Sequence, residues 1–379
     1  MNIAIIGTRG IPNHYGGFEQ LAEYLSEGLV KSGHHVTVYN SHNHPYQEKK
    51  WKGVDIIHCY DPEHKIGTAG QFIYDLNCII NARRQNFDII LQLGYTSSTI
   101  WGWLMPRQKS IVTTNMDGLE WKRSKYSRYV QRFLLYAEKL GVRYSDHLIA
   151  DSLGIQTYLR EKYQKEATYI PYGANIFEHP DEIILKKYQL RQFQYNMLIA
   201  RMEPENNIET ILDGAMLQPT PAPFIVIGNV DTKYGKYLKE KYAAGEHIRF
   251  LGGIYDLEEL NNLRYYSNLY FHGHSVGGTN PSLLEAMASQ AVICAHDNIF
   301  NRSVLENNGF YFSDATDILR LLSSVSREKE HKKITENKLK IIHQYSCEGI
   351  IEQYLKHFGE ITEEKKEEKK VVKVFQYSR

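Results

Sequence analysis

The amino-acid sequence predicts an α/β protein made of two doubly wound, Rossmann-like domains, and three observations carry that prediction. Short apolar runs of β type alternate with longer stretches of helical period. The alternation breaks off once, near the middle of the chain, and restarts. The length of 379 residues is enough for two cores at roughly 150 residues each.

In the first half the runs 2–6, 35–39, 54–59, 88–93, 110–114 and 147–150 read as strands, because they are short, rich in branched apolar residues and bounded by turn formers. Between them, 18–31, 70–84, 124–144 and 152–163 place apolar residues at three- and four-residue intervals and read as helices. The stretch 171–194 holds Pro-Tyr-Gly-Ala-Asn and Glu-His-Pro-Asp-Glu, turn residues without period, and reads as a linker between a domain over 1–170 and one over 195–345. Strands resume at 195–200, 224–227, 248–251, 269–272, 291–294 and 309–312, with helices at 207–216, 233–243, 257–266 and 281–288. A helix is expected over 346–360, followed by a charged tail, 361–379, whose Glu-Glu-Lys-Lys repeats suit a solvated helix extension or a frayed end. Ligand is expected outside the carboxyl ends of the strands, in a cleft across which the two domains face each other.

Composition narrows the function classes. With 45 Lys plus Arg against 44 Asp plus Glu, the net charge of +1 carries no global nucleic-acid footprint. No run approaches the roughly 20 apolar residues of a membrane span, and the first residues read as a strand and a glycine turn, so neither a signal peptide nor a transmembrane helix is expected. Cys59, Cys78, Cys294 and Cys347 lack paired spacing and read as reduced cytosolic thiols. The 28 Tyr, 14 Phe and 4 Trp are a habit of composition or a surface that meets sugar or membrane. His34, His35, His42 and His44 lack helical ligand spacing and read as surface-loop residues; no metal is expected.

Four motifs carry chemistry. Gly7-Thr8-Arg9-Gly10 to Gly16-Gly17-Phe18-Glu19 follows the first strand and puts Gly16 and Gly17 at a helix start, where backbone N–H groups favour a diphosphate; the alternative is a plain glycine-rich turn. The spacing is not that of a nicotinamide site, and Tyr39-Asn40 stands where an acid would hold a ribose. In Asn115-Met116-Asp117-Gly118-Leu119-Glu120-Trp121-Lys122-Arg123, Asp117 follows a strand and is placed to accept a proton or hold a sugar hydroxyl, or else to cap the next helix. Arg201, after the first strand of the second domain, offers a fixed fork for phosphate oxygens, or a surface salt bridge. The most informative string runs from His272 through Gly273, His274, Gly277, Gly278, Thr279 and Asn280 to Glu285: a strand, a glycine pair, then a helix opened by Thr279, Asn280 and Pro281, with Glu285 able to accept from ribose hydroxyls. Finally, 122–143 carries Lys122, Arg123, Lys125, Arg128, Arg132, Lys139 and Arg143 against the single acid Glu138, a solvated basic face or a dock for an anionic leaflet.

In their order, these motifs resemble the GT-B glycosyltransferases of retaining family four, over nearly the whole chain to about Phe358. The strings NMDGLEWKR and HGHSVGGTNPSLLEAM are most similar to a bacterial subgroup of polysaccharide rhamnosyltransferases. The resemblance implies an acceptor-binding first domain, a nucleotide-sugar-binding second domain and a C-terminal helix returning to the first. It implies a retaining hexosyl transfer, with rhamnose on a thymidine or uridine diphosphate as donor substrate, no further cofactor, and a glycan or polyprenyl-diphosphate-linked acceptor. The place implied is the cytoplasm, at the inner face of the membrane, in surface polysaccharide synthesis. By resemblance Arg201 binds the donor diphosphate, Glu285 the ribose, Gly277, Gly278, Thr279 and Asn280 the donor sugar and phosphate, and Gly16 and Gly17 the diphosphate from the other domain. Asp117 orients the acceptor, and Lys122, Arg123, Lys125, Arg128 and Arg132 face acceptor or membrane. Two positions depart from the family pattern: Gly277 stands where a glutamate is usual and Asn206 where a lysine is usual. The same fold without catalysis, as a binding protein, or with epimerase or hydrolase chemistry, is the alternative.

Overall fold

The structure is a computed structural model that describes residues 1–123 and 125–377, with side chains as far as Glu367. Ser124, where the fourth helix is expected to begin, and residues 378–379 of the expected tail lie outside the described residues. The chain divides into two compact units. One comprises Met1–Trp121, Arg128–Pro171 and Cys347–Arg379; the other comprises Lys122–Ser127 and Tyr172–Ser346.

The first unit is built on an eight-stranded sheet of β1 (Asn2–Ile6), β2 (His35–Ser41), β3 (Lys50–Trp51), β4 (Val54–Cys59), β5 (Ile89–Leu93), β6 (Ile111–Asn115), β7 (His147–Ala150) and β8 (Thr168–Tyr169), in the order β3-β4-β2-β1-β5-β6-β7-β8. Pairing is parallel except for β3 against β4. Ile3, Ala4, Ile5 and Ile6 are all buried, as befits a central strand of a parallel sheet covered on both faces. The strand order reverses between β1 and β5, and the loops leaving these neighbours touch: a Cβ on Gly7 would lie 2.2 Å from the Leu93 carbonyl oxygen. β3 and β8 have two residues each, too few to show any alternation in sequence.

The C-terminal helix Cys347–Tyr377 belongs to this unit and buries Ile350, Tyr354, Phe358 and Ile361 on one stripe. Its His357 is sandwiched between Thr113 Oγ1 (2.9 Å) and Thr168 Oγ1 (3.2 Å), and Tyr354 Oη accepts from Asn115 Nδ2. The helix is continuous through 361–377, so of the two readings of the charged segment the structure shows the helix extension.

The second unit carries a six-stranded parallel sheet: β9 (Asn196–Ile199), β10 (Phe224–Ile227), β11 (Ile248–Gly252), β12 (Leu269–His272), β13 (Ile293–His296) and β14 (Phe310–Phe312), ordered β11-β10-β9-β12-β13-β14. Here the order reverses between β9 and β12. Leu198, Phe224, Val226, Leu269 and Phe271 form the middle of its core, closed by Ile208, Leu212 and Ile318 from helices. The stretch read as a linker is part of this unit. Ala174 N–H donates to the Tyr345 carbonyl, the short helix Ile183–Lys187 buries Leu185, and Phe193 N–H donates to the Tyr266 carbonyl at 2.7 Å. Its hydrogen bonds run to residues far away in sequence, which is why it shows no local period.

Candidate functional site

In open α/β sheets a ligand binds at the carboxyl ends of the strands flanking the point where strand order reverses. In the second unit those strands are β9 and β12, and the loops leaving them are the Arg201 and His272–Glu285 motifs. The first loop is braced internally by one hydrogen bond and fastened to the second by three. Asn206 Nδ2 donates to the Arg201 carbonyl at 2.7 Å, and Asn207 Nδ2 to the Gly273 carbonyl at 2.8 Å. The Ser275 N–H and hydroxyl both reach the Glu205 carbonyl, at 3.2 and 2.8 Å. The approach is so close that a Cβ on Gly273 would lie 1.9 Å from the Asn206 carbonyl oxygen. Asn206, which departs from the usual lysine, is thus a buried brace for the Arg201 backbone. The Arg201 side chain is exposed and makes no hydrogen bond or ion pair among the described residues.

Past Gly273 the chain runs through His274 to Gly277, whose φ of +134° suits glycine and around whose absent Cβ there is open space. Gly278 follows, Thr279 is buried, and Asn280 caps the helix Pro281–Ala288 by accepting from Ser282 N–H at 2.9 Å, with Pro281 in the first turn. Glu285, one turn on, receives Arg264 Nη2 on Oε2 at 2.5 Å. Arg264 is fully buried and also donates to Asn261 Oδ1. Sequence reasoning missed Arg264. Its signal was a cation four residues after Leu260, on the buried stripe of the helix Leu257–Tyr265.

His272 and His274 stack with ring centroids 4.4 Å apart. Burial, then neighbouring His274 and Arg264, push His272 well below the usual imidazole range; burial, then Arg201 and Arg123, push His274 down to about 3. Both rings are neutral near pH 7. Asn298 and Asn301, at the start of the helix Ile299–Leu305, each donate to the His274 carbonyl at 3.0 Å and hold the loop from its other side.

In the first unit Gly16 is the cap residue of the helix Gly17–Lys31. The loop before it is pinned by Asn40, which exchanges hydrogen bonds with Ile11 N–H (3.0 Å) and carbonyl (2.8 Å). Glu19 in the first helical turn accepts from Arg9 N–H at 2.8 Å, so an anion at Gly16 and Gly17 would sit beside an internal carboxylate. Asp117, after β6, adopts φ +50°, with its N–H bonded to Asn115 Oδ1 at 3.0 Å. Its loop is braced by Tyr95, whose hydroxyl bonds Gly118 and Glu120, and by Trp121 Nε1, which donates to buried Glu138 at 3.1 Å. Asp117 lies eleven residues before the helix Arg128–Tyr144 and does not cap it; its carboxylate makes no hydrogen bond or ion pair among the described residues. Asp75, also missed, is buried with Ser97 Oγ donating to it at 2.5 Å; burial, with repulsion from Asp61, pushes its carboxyl up to about 7.

The basic cluster needs correction. Lys122–Ser127 packs with the second unit, where Lys125 Nζ lies 3.1 Å from Glu203 and Arg123 Nη1 lies 3.6 Å from Glu205. Those acids take up the two cations, so Arg123 and Lys125 are not part of a free acceptor or membrane face. The helix expected from Ser124 starts at Arg128, and Arg128 and Arg132 on it are exposed, as is Lys122 before it. The structure therefore brings Arg201, Gly277, Gly278, Thr279 and Asn280 onto two adjoining loops, with Glu285 in the helix that follows the second loop, all in the second unit. Gly16, Gly17 and Asp117 lie on loops of the first, after strands that β5 separates.

A family model described as "Domain of unknown function (DUF1972)" matches residues 1–175, and one described as "Glycosyl transferases group 1" matches residues 185–341. No curated protein matches in sequence. Among solved structures, sucrose-phosphate synthase from Thermosynechococcus elongatus superposes with a TM-score of 0.79 at 19% identity, covering 95% of this chain and 98% of that one. Anabaena HepE in complex with UDP-glucose gives 0.73 at 13%, covering 95% and 99%. The structure of trehalose-6-phosphate from E. coli bound with UDP-2-fluoro glucose gives 0.69 at 11%, covering 94% and 98%. The likeness extends over both units and establishes the GT-B fold.

Proposed function

We propose that this chain, a glycosyltransferase of GT-B fold with a group 1 domain over residues 185–341, transfers rhamnose with retention from a thymidine or uridine diphosphate donor to a hydroxyl of a glycan or polyprenyl-diphosphate-linked acceptor. The observation that carries this reading is the bracing of the β9 and β12 loops, which carries an unpaired Arg201 guanidinium on one loop and a capped helix start at the end of the other. The nucleotide and UDP-glucose in the HepE complexes support the donor class.

In the transfer the bond from the anomeric carbon to the diphosphate oxygen breaks and one to the acceptor oxygen forms, the acceptor proton passing to the departing phosphate. Negative charge grows on the diphosphate. Arg201, together with the backbone of Gly277, Gly278, Thr279 and Asn280, stabilises it more in the transition state than in the ground state. Glu285 binds the ribose, the buried Arg264 fixing the direction of its carboxylate. Gly277, in open space where a glutamate is usual, removes a side chain that would meet the donor sugar, which suits a deoxysugar. Asp117 orients the acceptor hydroxyl. The work is done in surface polysaccharide synthesis at the inner face of the membrane, which the exposed basic residues Arg128 and Arg132 help the enzyme to reach.

The test pairs Arg201→Ala with Glu285→Gln against a panel of nucleotide sugars. Arg201→Ala should lower transfer about 10- to 150-fold, the value of a charge-assisted contact of about 1.5–3 kcal/mol, without loss of folding. Glu285→Gln should chiefly weaken nucleotide binding. Wild-type kinetics in the first and wild-type affinity in the second would remove both residues from the donor site.

A further inference from the structure

The loop that carries Asp117 is gripped at two places by groups far from it in sequence. Tyr95, buried on the loop after β5, donates its hydroxyl to the Gly118 carbonyl at 3.3 Å and accepts there from Glu120 N–H at 3.2 Å. Tyr95 is itself fixed through Thr99, whose hydroxyl lies 2.6 Å from the Tyr95 carbonyl and 2.8 Å from that of Ala137 on the helix Arg128–Tyr144. The next residue of that helix, Glu138, makes the second grip: its Oε2 accepts from Trp121 Nε1 at 3.1 Å.

Glu138 is only 1% exposed, and its other oxygen, Oε1, collects three more donors, all from the helix Leu153–Tyr163: Tyr158 Oη at 2.7 Å, Tyr163 Oη at 2.6 Å and Lys162 Nζ at 3.0 Å. The Lys162 ammonium also lies 5.2, 4.8 and 5.0 Å from the ring centroids of Trp121, Tyr158 and Tyr163, within cation–π range of all three. Burial, and then the bonds to Glu138, push both phenols up, so each keeps the proton it donates. A carboxylate only accepts, and here four donors converge on it. Packing alone does not call for such a group, since a buried ion pair replaced by apolar side chains of like volume is commonly no less stable. Three of the donors hold the acid still; the fourth, Trp121, belongs to the loop of Asp117, four residues beyond it.

We propose that Glu138 is a positioning residue for the transfer: anchored by Tyr158, Lys162 and Tyr163, it fixes Trp121 and, together with Tyr95, holds the Asp117 carboxylate in the direction of the acceptor hydroxyl. The inference rests on the acceptor role proposed for Asp117 above, and it gives Glu138 no contact with either substrate. Its chemistry makes a specific demand. In Glu138→Gln the Lys162 ammonium, which only donates, takes the amide oxygen, and the amide NH2 is left facing the indole N–H of Trp121. Two donors do not bond, so Trp121 withdraws and the loop loses one of its grips. A displacement of about 1 Å at a group that orients a reactant can cost about 100-fold in rate.

The experiment follows transfer from thymidine diphosphate rhamnose to a panel of octyl hexosides, with donor saturating and acceptor varied. Glu138→Gln should lower kcat/KM for the acceptor by up to about 100-fold, and by no more than Asp117→Asn does, while affinity for thymidine diphosphate stays at the wild-type value. Trp121→Phe keeps an aromatic ring, removes the N–H and leaves Glu138 its other partners. It should lower the same constant, and adding Glu138→Gln to it should cost little more. On an Asp117→Asn background Glu138→Gln should leave the residual rate unchanged, whereas damage of a merely structural kind would multiply with the first loss. A multiplied loss on that background, or wild-type acceptor kinetics in either Glu138→Gln or Trp121→Phe, would overturn the inference. Full transfer by Asp117→Asn, or no transfer by the wild-type chain, would instead remove the acceptor reading on which it rests.

Discussion

Gly273→Ala probes how far the donor loops depend on one another. The added Cβ would lie 1.9 Å from the Asn206 carbonyl oxygen and 3.0 Å from Ile211 Cδ1, where ordinary contact begins at 3.4 Å. The nearest atom is backbone, so a rotamer change brings no relief, and the β9 and β12 loops must separate by about 1.5 Å. The Asn207–Gly273 hydrogen bond and the Ser275–Glu205 backbone bond cannot span that gap. Overpacking costs about 2 kcal/mol and each lost bond about 1, so the second unit should lose about 4 kcal/mol. In a unit of this size that lowers its melting temperature by roughly 10 °C. Differential scanning calorimetry with and without UDP is the assay. Nucleotide affinity should fall as well, because Arg201 is carried on the displaced loop. A variant that melts within a degree or two of wild type and binds UDP normally would refute the view that these loops are one braced structure.

Two further outcomes are expected. Asp117→Asn keeps a residue type at ease at φ +50° and the N–H bond to Asn115, so folding and donor affinity should hold while transfer falls about 10- to 150-fold; full transfer would exclude an acceptor role. Burial holds His357 down at about 4, below the value near 6.5 of an unfolded chain, so unfolding takes up a proton between those pH values. Stability of the first unit should therefore fall as pH drops from 6.5 to 4, by up to about 3 kcal/mol from this residue, and His357→Gln should flatten that part of a denaturation profile measured against pH; an unchanged slope would show that His357 does not contribute.

Local pattern along the chain is enough to encode some of these elements. The central strands are legible because burial on both faces leaves uninterrupted apolar runs such as Asn2–Ile6 and Phe224–Ile227, and the start of the helix Pro281–Ala288 because Asn280 and Pro281 satisfy its own first turn. Arg201 and Glu285 were legible as candidates because strand ends and helix starts are places where polar groups face ligand. Which partners each charge has is set by tertiary packing. Arg123 and Lys125 look like their neighbours in a basic run, yet lie against Glu205 and Glu203, some eighty residues on; Glu285 meets Arg264, and Asp75 meets Ser97 in a buried site. The stretch 171–194 likewise became part of a packed unit through bonds to Tyr345 and Tyr266. Strand order brings such residues together, and burial then sets the strength of their pairing; neither leaves a trace in the spacing of residues along the chain.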